Sequence, residues 1–236
     1  FGIAIGIVLL PTLSKSIKKN VQEEIQKTQN RSLEFCLFVS LPAAIGLYIL
    51  SEPIIHILFE RGAFLNEDTL ITARVLSMFA LGLPAYILIK ILVTCFFARE
   101  DTKTPLYVSI VSVAINIILS LILIQSMRET GIALATAISA WVNAVLLYII
   151  LRIRNNISLD SRLVSNSYKI IISSTVMGVA CYFSNLILFS DMVLHSLILN
   201  LSGLILAIVI SNIVYYVMVF MLRVFTIDEL KGYIKK

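Results

Sequence analysis

Residues 54–69 read IIHILFERGAFLNEDT, and the charged Glu60-Arg61-Gly62 knot at their centre separates two long apolar stretches. The place of such a knot depends on what surrounds it. The chain has 236 residues, 59% hydrophobic and only 14% charged, against about 25% charged in a soluble domain, and its mean hydropathy is +0.96. A hydrocarbon core about 30 Å thick takes about 20 residues of helix. Uncharged runs at 106–127, 130–151, 170–190 and 192–222 are each long enough, while 35–51 and 75–98, the second carrying Lys90, are helical by length and apolarity. The expected fold is all-α: a polytopic membrane protein with six full transmembrane helices and the knot at a turn between the first two.

The opening stretch FGIAIGIVLLPTLS is shorter than a span, starts on Phe and lacks the basic start of a signal peptide. It reads as the end of a seventh helix, and the chain as the C-terminal part of a longer protein. The net charge of +5 is spread over loops, not gathered with aromatics on one face, so no nucleic-acid partner is expected. Cys36, Cys95 and Cys181 fall inside apolar spans without paired spacing, which argues for small hydrophobes over disulfides or metal ligands.

Lys and Arg alternate between loops. Segment 14–31 carries five, the knot one (Arg61), REDTKTP two (Arg99, Lys103), the next turn one (Arg128), 152–169 four, 189–196 none and the end four. Alternate loops total fifteen against two. Because basic residues are retained on the cytoplasmic side, REDTKTP and the C-terminus are expected to be cytoplasmic and the knot outside, where Gly62 lets the backbone turn. Ile17, Val21 and Ile25 with the Glu23–Lys27 pair suit either an amphipathic helix on the inner leaflet or a solvated one. Thr226-Ile-Asp-Glu229 has a capping-box pattern and predicts a short terminal helix.

Inside the spans, polar residues form stripes. Gly82, Tyr86, Lys90 and Thr94 recur every four residues, with Pro84 beside them predicting a kink or broken turn. Lys90 has two readings, a cavity cation or a stem snorkelling to the inner interface; Arg74 reads as a headgroup anchor. Ser109, Ser112, Asn116 and Ser120 on one helix and Thr136, Ser139 and Asn143 on the next are placed to face each other, among alanines that also suit close packing. Gly203, Ala207 and Ser211 make a second packing ridge. No catalytic or nucleotide-binding motif is present, and His56 and His195 are read as lacking nearby ligand partners. The chain is therefore expected to be a transporter or scaffold, not an enzyme, with no cofactor and no metal.

Three strings in order, GIAIGIVLLPTLSKS (2–16), LFERGAF (58–64) and FFAREDTKTP (96–105), resemble the C-terminal half of the MurJ/MviN family of lipid II flippases, in the superfamily that includes the MATE exporters. The resemblance is sharp up to Pro105 and rests on hydropathy beyond it. It implies a fourteen-helix transporter of the bacterial inner membrane with a cytoplasmic C-terminus, of which this chain holds the end of helix 8 through helix 12 (1–152), a cytoplasmic linker (153–166) and an added helix pair with a tail (167–236). It also implies lipid II as substrate, membrane lipids as surroundings, an N-terminal half as partner, and alternating access as mechanism. The cavity or gate candidates are Glu60, Arg61, Lys90, Arg99, Asp101 and Lys103, with Gly62, Pro84 and Pro105 as structural residues. Asn116 and Thr136 match two positions of a sodium site seen in some members, but Ser120 stands where those members are acidic, so no sodium site is expected. A MATE-like drug or polysaccharide exporter and a non-transporting envelope scaffold are the alternatives.

Overall fold

The computed structural model describes residues 10–11, 13–17, 21–189 and 197–224. His195, the capping-box segment 226–229 and most of the opening stretch lie outside the described residues. Within them the chain is helical: α1 (Gln22–Ile49), α2 (Ser51–Phe59), α3 (Asn66–Phe97), α4 (Lys103–Met127), α5 (Glu129–Ile153), α6 (Ser161–Leu188) and α7 (Leu197–Met221). All but α2 are long and apolar enough to cross a membrane, so the six expected spans are present.

Their limits differ from the hydropathy reading. α1 is one continuous helix of 28 residues, about 42 Å at 1.5 Å per residue, so the polar segment before residue 35 extends the span and is not a separate helix. It continues through Pro42. A bend at Leu50 then leads into α2, whose Pro53 occupies the first turn, where a missing N–H costs no helical bond. α3 likewise runs unbroken through Pro84, with no broken turn. α6 starts at Ser161, inside the stretch expected to be linker, because the Asp160 side chain caps it by accepting from the Leu163 N–H at 2.7 Å.

In space the long helices line up as α4, α5, α3, α1, α6, α7, with α2 against α3 and α7; α3 and α4, consecutive in sequence, barely touch because α5 lies between them. Small residues permit these approaches. A Cβ at Gly82 would sit 3.0 Å from the Ala137 backbone, one at Gly131 would come 2.5 Å from the Leu123 carbonyl, and one at Gly178 would collide with Ile45. Ala85, Ala140 and Ala144 complete the α3–α5 seam, as membrane helices require when solvent gives no hydrophobic drive between them. Ala207 and Ser211 of the ridge on α7 are buried in the same way.

α3, α5 and α7 run toward the same end and close alike. Glu100, Asn155 and Arg223 each take positive φ (61°, 55° and 50°). Each is followed by an N–H that reaches back five residues: Asp101 to Phe96, Asn156 to Leu151 and Val224 to Val219. This is the Schellman closure, built here without glycine.

Candidate functional site

That shared end collects the basic segments. Asn30 at the start of α1 donates to the Ser158 carbonyl (2.9 Å), Arg154 pairs with Asp101 (2.6 Å), and Lys169 donates to the Arg223 carbonyl (3.4 Å). The start of α1, REDTKTP, the α5–α6 loop and the end of α7 therefore lie together. At the opposite end, Arg61 and Asp68 share a cavity with Glu129 at the start of α5. The pairing of sides read from the charge alternation is thus the pairing in the fold.

At the basic end, REDTKTP is held within the bundle. Arg99 donates from Nη1 to the Cys95 carbonyl and from Nη2 to the Asn156 carbonyl, both at 2.9 Å, closing α3 and tying it to the α5–α6 loop. Asp101 accepts from the Thr104 N–H (3.0 Å) and hydroxyl (2.7 Å), which starts α4, and takes the Arg154 guanidinium on the same carboxylate. The Thr104 bonds first, then Arg154, hold its pKa down to about 2. Pro105 is buried in the first turn of α4, while Lys103 is exposed.

Arg154 was not singled out in the sequence, where it counts only as one more loop charge; its i+53 contact with Asp101 leaves no local pattern. The same is true of a buried cluster joining α1 to the last two helices. Glu34, 1% exposed, pairs with Arg31 and accepts from Asn166 Nδ2 at 2.6 Å; Asn166 also donates to the Val224 carbonyl at 3.1 Å, and Arg31 pairs with Asp160.

At the opposite end the knot is a built turn. Gly62 has φ +63° with open space around it, the left-handed conformation glycine accepts without cost. His56, read from the sequence as lacking a ligand-type partner, has one: its Nδ1 lies 2.8 Å from Glu60 Oε2, four residues on. Thr69 donates to the same oxygen at 2.6 Å. The Thr69 bond, with a smaller contribution from His56, lowers the Glu60 pKa. Glu60 thus ties the end of α2 to the first turn of α3. Arg61 is exposed and lines an open cavity of about 650 Å³ with Asp68, Thr72 and Glu129.

Between the ends, the stripe on α3 divides. Gly82 and Thr94 are buried in packing and Tyr86 is half-buried, whereas Lys90 is exposed; only its carbonyl is engaged, by the Thr94 hydroxyl at 2.7 Å. Arg74 is exposed near the start of α3. The stripes on α4 and α5 do meet: Asn116 Nδ2 donates to Thr136 Oγ1 and Ser139 Oγ, both at 3.2 Å. With both hydroxyls donating to carbonyls of their own helix, the three side chains join α4 to α5 through an interhelical polar contact. Cys36, Cys95 and Cys181 are free and buried. Among the described residues no three of His, Cys, Asp and Glu are grouped as a metal requires.

The comparisons agree with this architecture. The family model described as lipid II flippase MurJ matches residues 1–203. The chain belongs to the MurJ family of lipid II flippases. It is similar to probable lipid II flippases MurJ of Rhizobium tropici (45% identity over 78% of the chain and 35% of the relative), Rhizobium meliloti (43% over 77% and 34%) and Rickettsia prowazekii (42% over 75% and 35%). A solved structure of lipid II flippase MurJ in an inward closed conformation superposes with a TM-score of 0.76 at 26% identity, over 94% of this chain and 43% of that one. The chain thus spans about a third of the length of these MurJ relatives. Flippases are transporters, and the six apolar helices are those of a multi-pass membrane protein.

Proposed function

We propose that this chain supplies the C-terminal lobe and the added helix pair of a lipid II flippase of the bacterial inner membrane, its basic end cytoplasmic. The protein would carry the undecaprenyl-pyrophosphate-linked disaccharide-pentapeptide across by alternating access. The observation that carries the reading is the family match through residues 1–203, which takes in the knot, REDTKTP and the α4–α5 hairpin. The cytoplasmic placement rests on the positive-inside bias acting on the end where Arg99, Arg152, Arg154 and Arg162 gather. The division into a lobe (1–152), a linker and a helix pair fits the row of helices, in which α6 and α7 pack outside α1.

In this reading the candidate residues have unequal roles. Lys90 is the exposed cation deep within α3, Arg74 lying near its start, and in a lobe facing an N-terminal half Lys90 would meet the pyrophosphate. Arg99 and Asp101 hold the turn on which a gate pivots, and exposed Lys103 is the group free to pair across it. Arg61 and the cavity beside it form the outer mouth.

The test is depletion of the full-length protein in cells. Lipid II then builds up on the inner leaflet, and flipping returns with the unchanged gene but more slowly with Lys90→Ala. Normal lipid II distribution after depletion would overturn the flippase reading and favour a drug exporter or a scaffold.

A further inference from the structure

At the basic end a groove of about 250 Å³ runs between α5 and α6, floored by leucines of α1 and α3. Its walls include Trp141, Val145 and Tyr148 on α5 and Leu163 and Ser167 on α6. Trp141 and Val145 are 39% and 49% exposed, so its long side is open to the surroundings. Pockets that enclose a drug-sized molecule measure about 300–1,000 Å³; this one is smaller and open, and has the proportions of a single alkyl chain.

An apolar groove in a membrane has no hydrophobic preference for a lipid tail, because neighbouring tails are as apolar as its own walls. Shape is all it supplies, and any selectivity must come from a polar end. Here the Tyr148 hydroxyl accepts from Arg152 Nη1 at 2.9 Å. Arg152 differs from three other arginines of this end. Arg31 is answered by Glu34 and Asp160, Arg154 by Asp101, and Arg99 by two carbonyls. The partner of Arg152 is a neutral phenol, so its charge is not neutralised, and its side chain is exposed. One helical turn beyond Tyr148 on the same face, it stands about 6 Å closer to the end of α5, where headgroups lie when tails fill the groove. A guanidinium with several donors left is suited to phosphate, and basic pockets between membrane helices favour anionic headgroups.

We propose that this groove is a binding site for an anionic membrane phospholipid, one acyl chain lying between α5 and α6 and the phosphate resting on Arg152 and the Tyr148 hydroxyl. The site does not depend on which face of the membrane the basic end occupies.

Trp141 is the single tryptophan of the chain and lines the groove, so its emission reports occupancy directly. The full chain is reconstituted in phosphatidylcholine bilayers containing a minor fraction of either phosphatidylglycerol or phosphatidylcholine brominated in its acyl chain. Brominated phosphatidylglycerol quenches Trp141 several-fold more than the same fraction of brominated phosphatidylcholine. Arg152→Gln reduces that excess to none, and Val145→Phe, which fills the groove while leaving the charge, reduces it as well; circular dichroism shows that both variants keep their helices. Equal quenching by the two lipids, or an excess unchanged in Arg152→Gln, overturns the proposal. So does loss of the excess on adding a polyprenyl pyrophosphate equimolar with protein, which would assign the groove to a prenyl chain.

Discussion

Asp101 concentrates several tasks in one carboxylate: it caps α4 through Thr104 and receives Arg154 from across the bundle. With a folded pKa near 2 against about 3.9 when unfolded, its ionised form is favoured by folding. A depressed carboxylate contributes stability that is fully present above the unfolded value and is lost as pH falls through the folded one. The thermal unfolding midpoint in detergent should therefore fall as pH drops from about 4 toward 2, and Asp101→Asn should lower the midpoint at neutral pH and flatten that decline. Equal slopes in the two proteins would remove this role for Asp101. The residue types at REDTKTP were legible in the sequence as a charged turn. Their partners were not, because Arg154 and Asn156 arrive from more than fifty residues away and charge composition carries no information about pairing. His56 was misread for a simpler reason: its partner Glu60 lies one helical turn on, a spacing visible only once α2 is known to be helical.

At the scale of elements, α6 and α7 are attached to the rest chiefly through α1, by apolar packing along Ile170, Met177 and Tyr215 and by the polar cluster around Glu34, with Ile57 of α2 packed among Cys181, Leu204 and Ala207 as a second contact. The Tyr215 hydroxyl donates to the Phe38 carbonyl at 2.7 Å, and Asn166 joins Glu34 to the end of α7. Replacing Asn166 by Ala leaves a buried carboxylate oxygen and a carbonyl without that donor. An unsatisfied buried group costs about 1–3 kcal/mol, so the expected loss is roughly 2–3 kcal/mol, seen as a lower unfolding midpoint and faster protease cleavage in the loop 154–160. A variant as stable and as protected as the parent would show that packing alone holds the pair. Helix number followed from hydropathy, yet helix ends did not. α1 begins in a polar stretch and α6 begins at an Asp cap, and in both cases burial against neighbours carries the helix past the edge of its apolar run.

Over the whole molecule the charge alternation becomes a single basic end and a single opposite end. Cysteines introduced singly at Ala63 and Lys103, both exposed positions, should react with a membrane-impermeant maleimide from opposite faces of the membrane, Lys103→Cys only after the cytoplasmic face is opened. Labelling of both from one face would break the threading and the gate roles together. The row order α4, α5, α3, α1, α6, α7 leaves much of α4 exposed, with Leu106, Ile110, Ile117 and Leu121 among its outward residues. This is the surface expected of a helix that meets lipid or further helices of a longer protein.

The sequence by itself determined how many helices cross the membrane, which turns share a side, and, through three ordered motifs, the family. Each depends on local quantities, the length of an apolar run and the sign of the charges at its ends, that the bilayer reads segment by segment. Only the tertiary structure decided that Arg99 and Asp101 are occupied inside the lobe, that Asn116 closes on Thr136 and Ser139, and that Arg152 stands with an unneutralised charge at the end of a groove. Those outcomes depend on which helices become neighbours, and neighbours in this fold are chosen by close approach at Gly82, Gly131 and Gly178, across distances along the chain that periodicity does not encode.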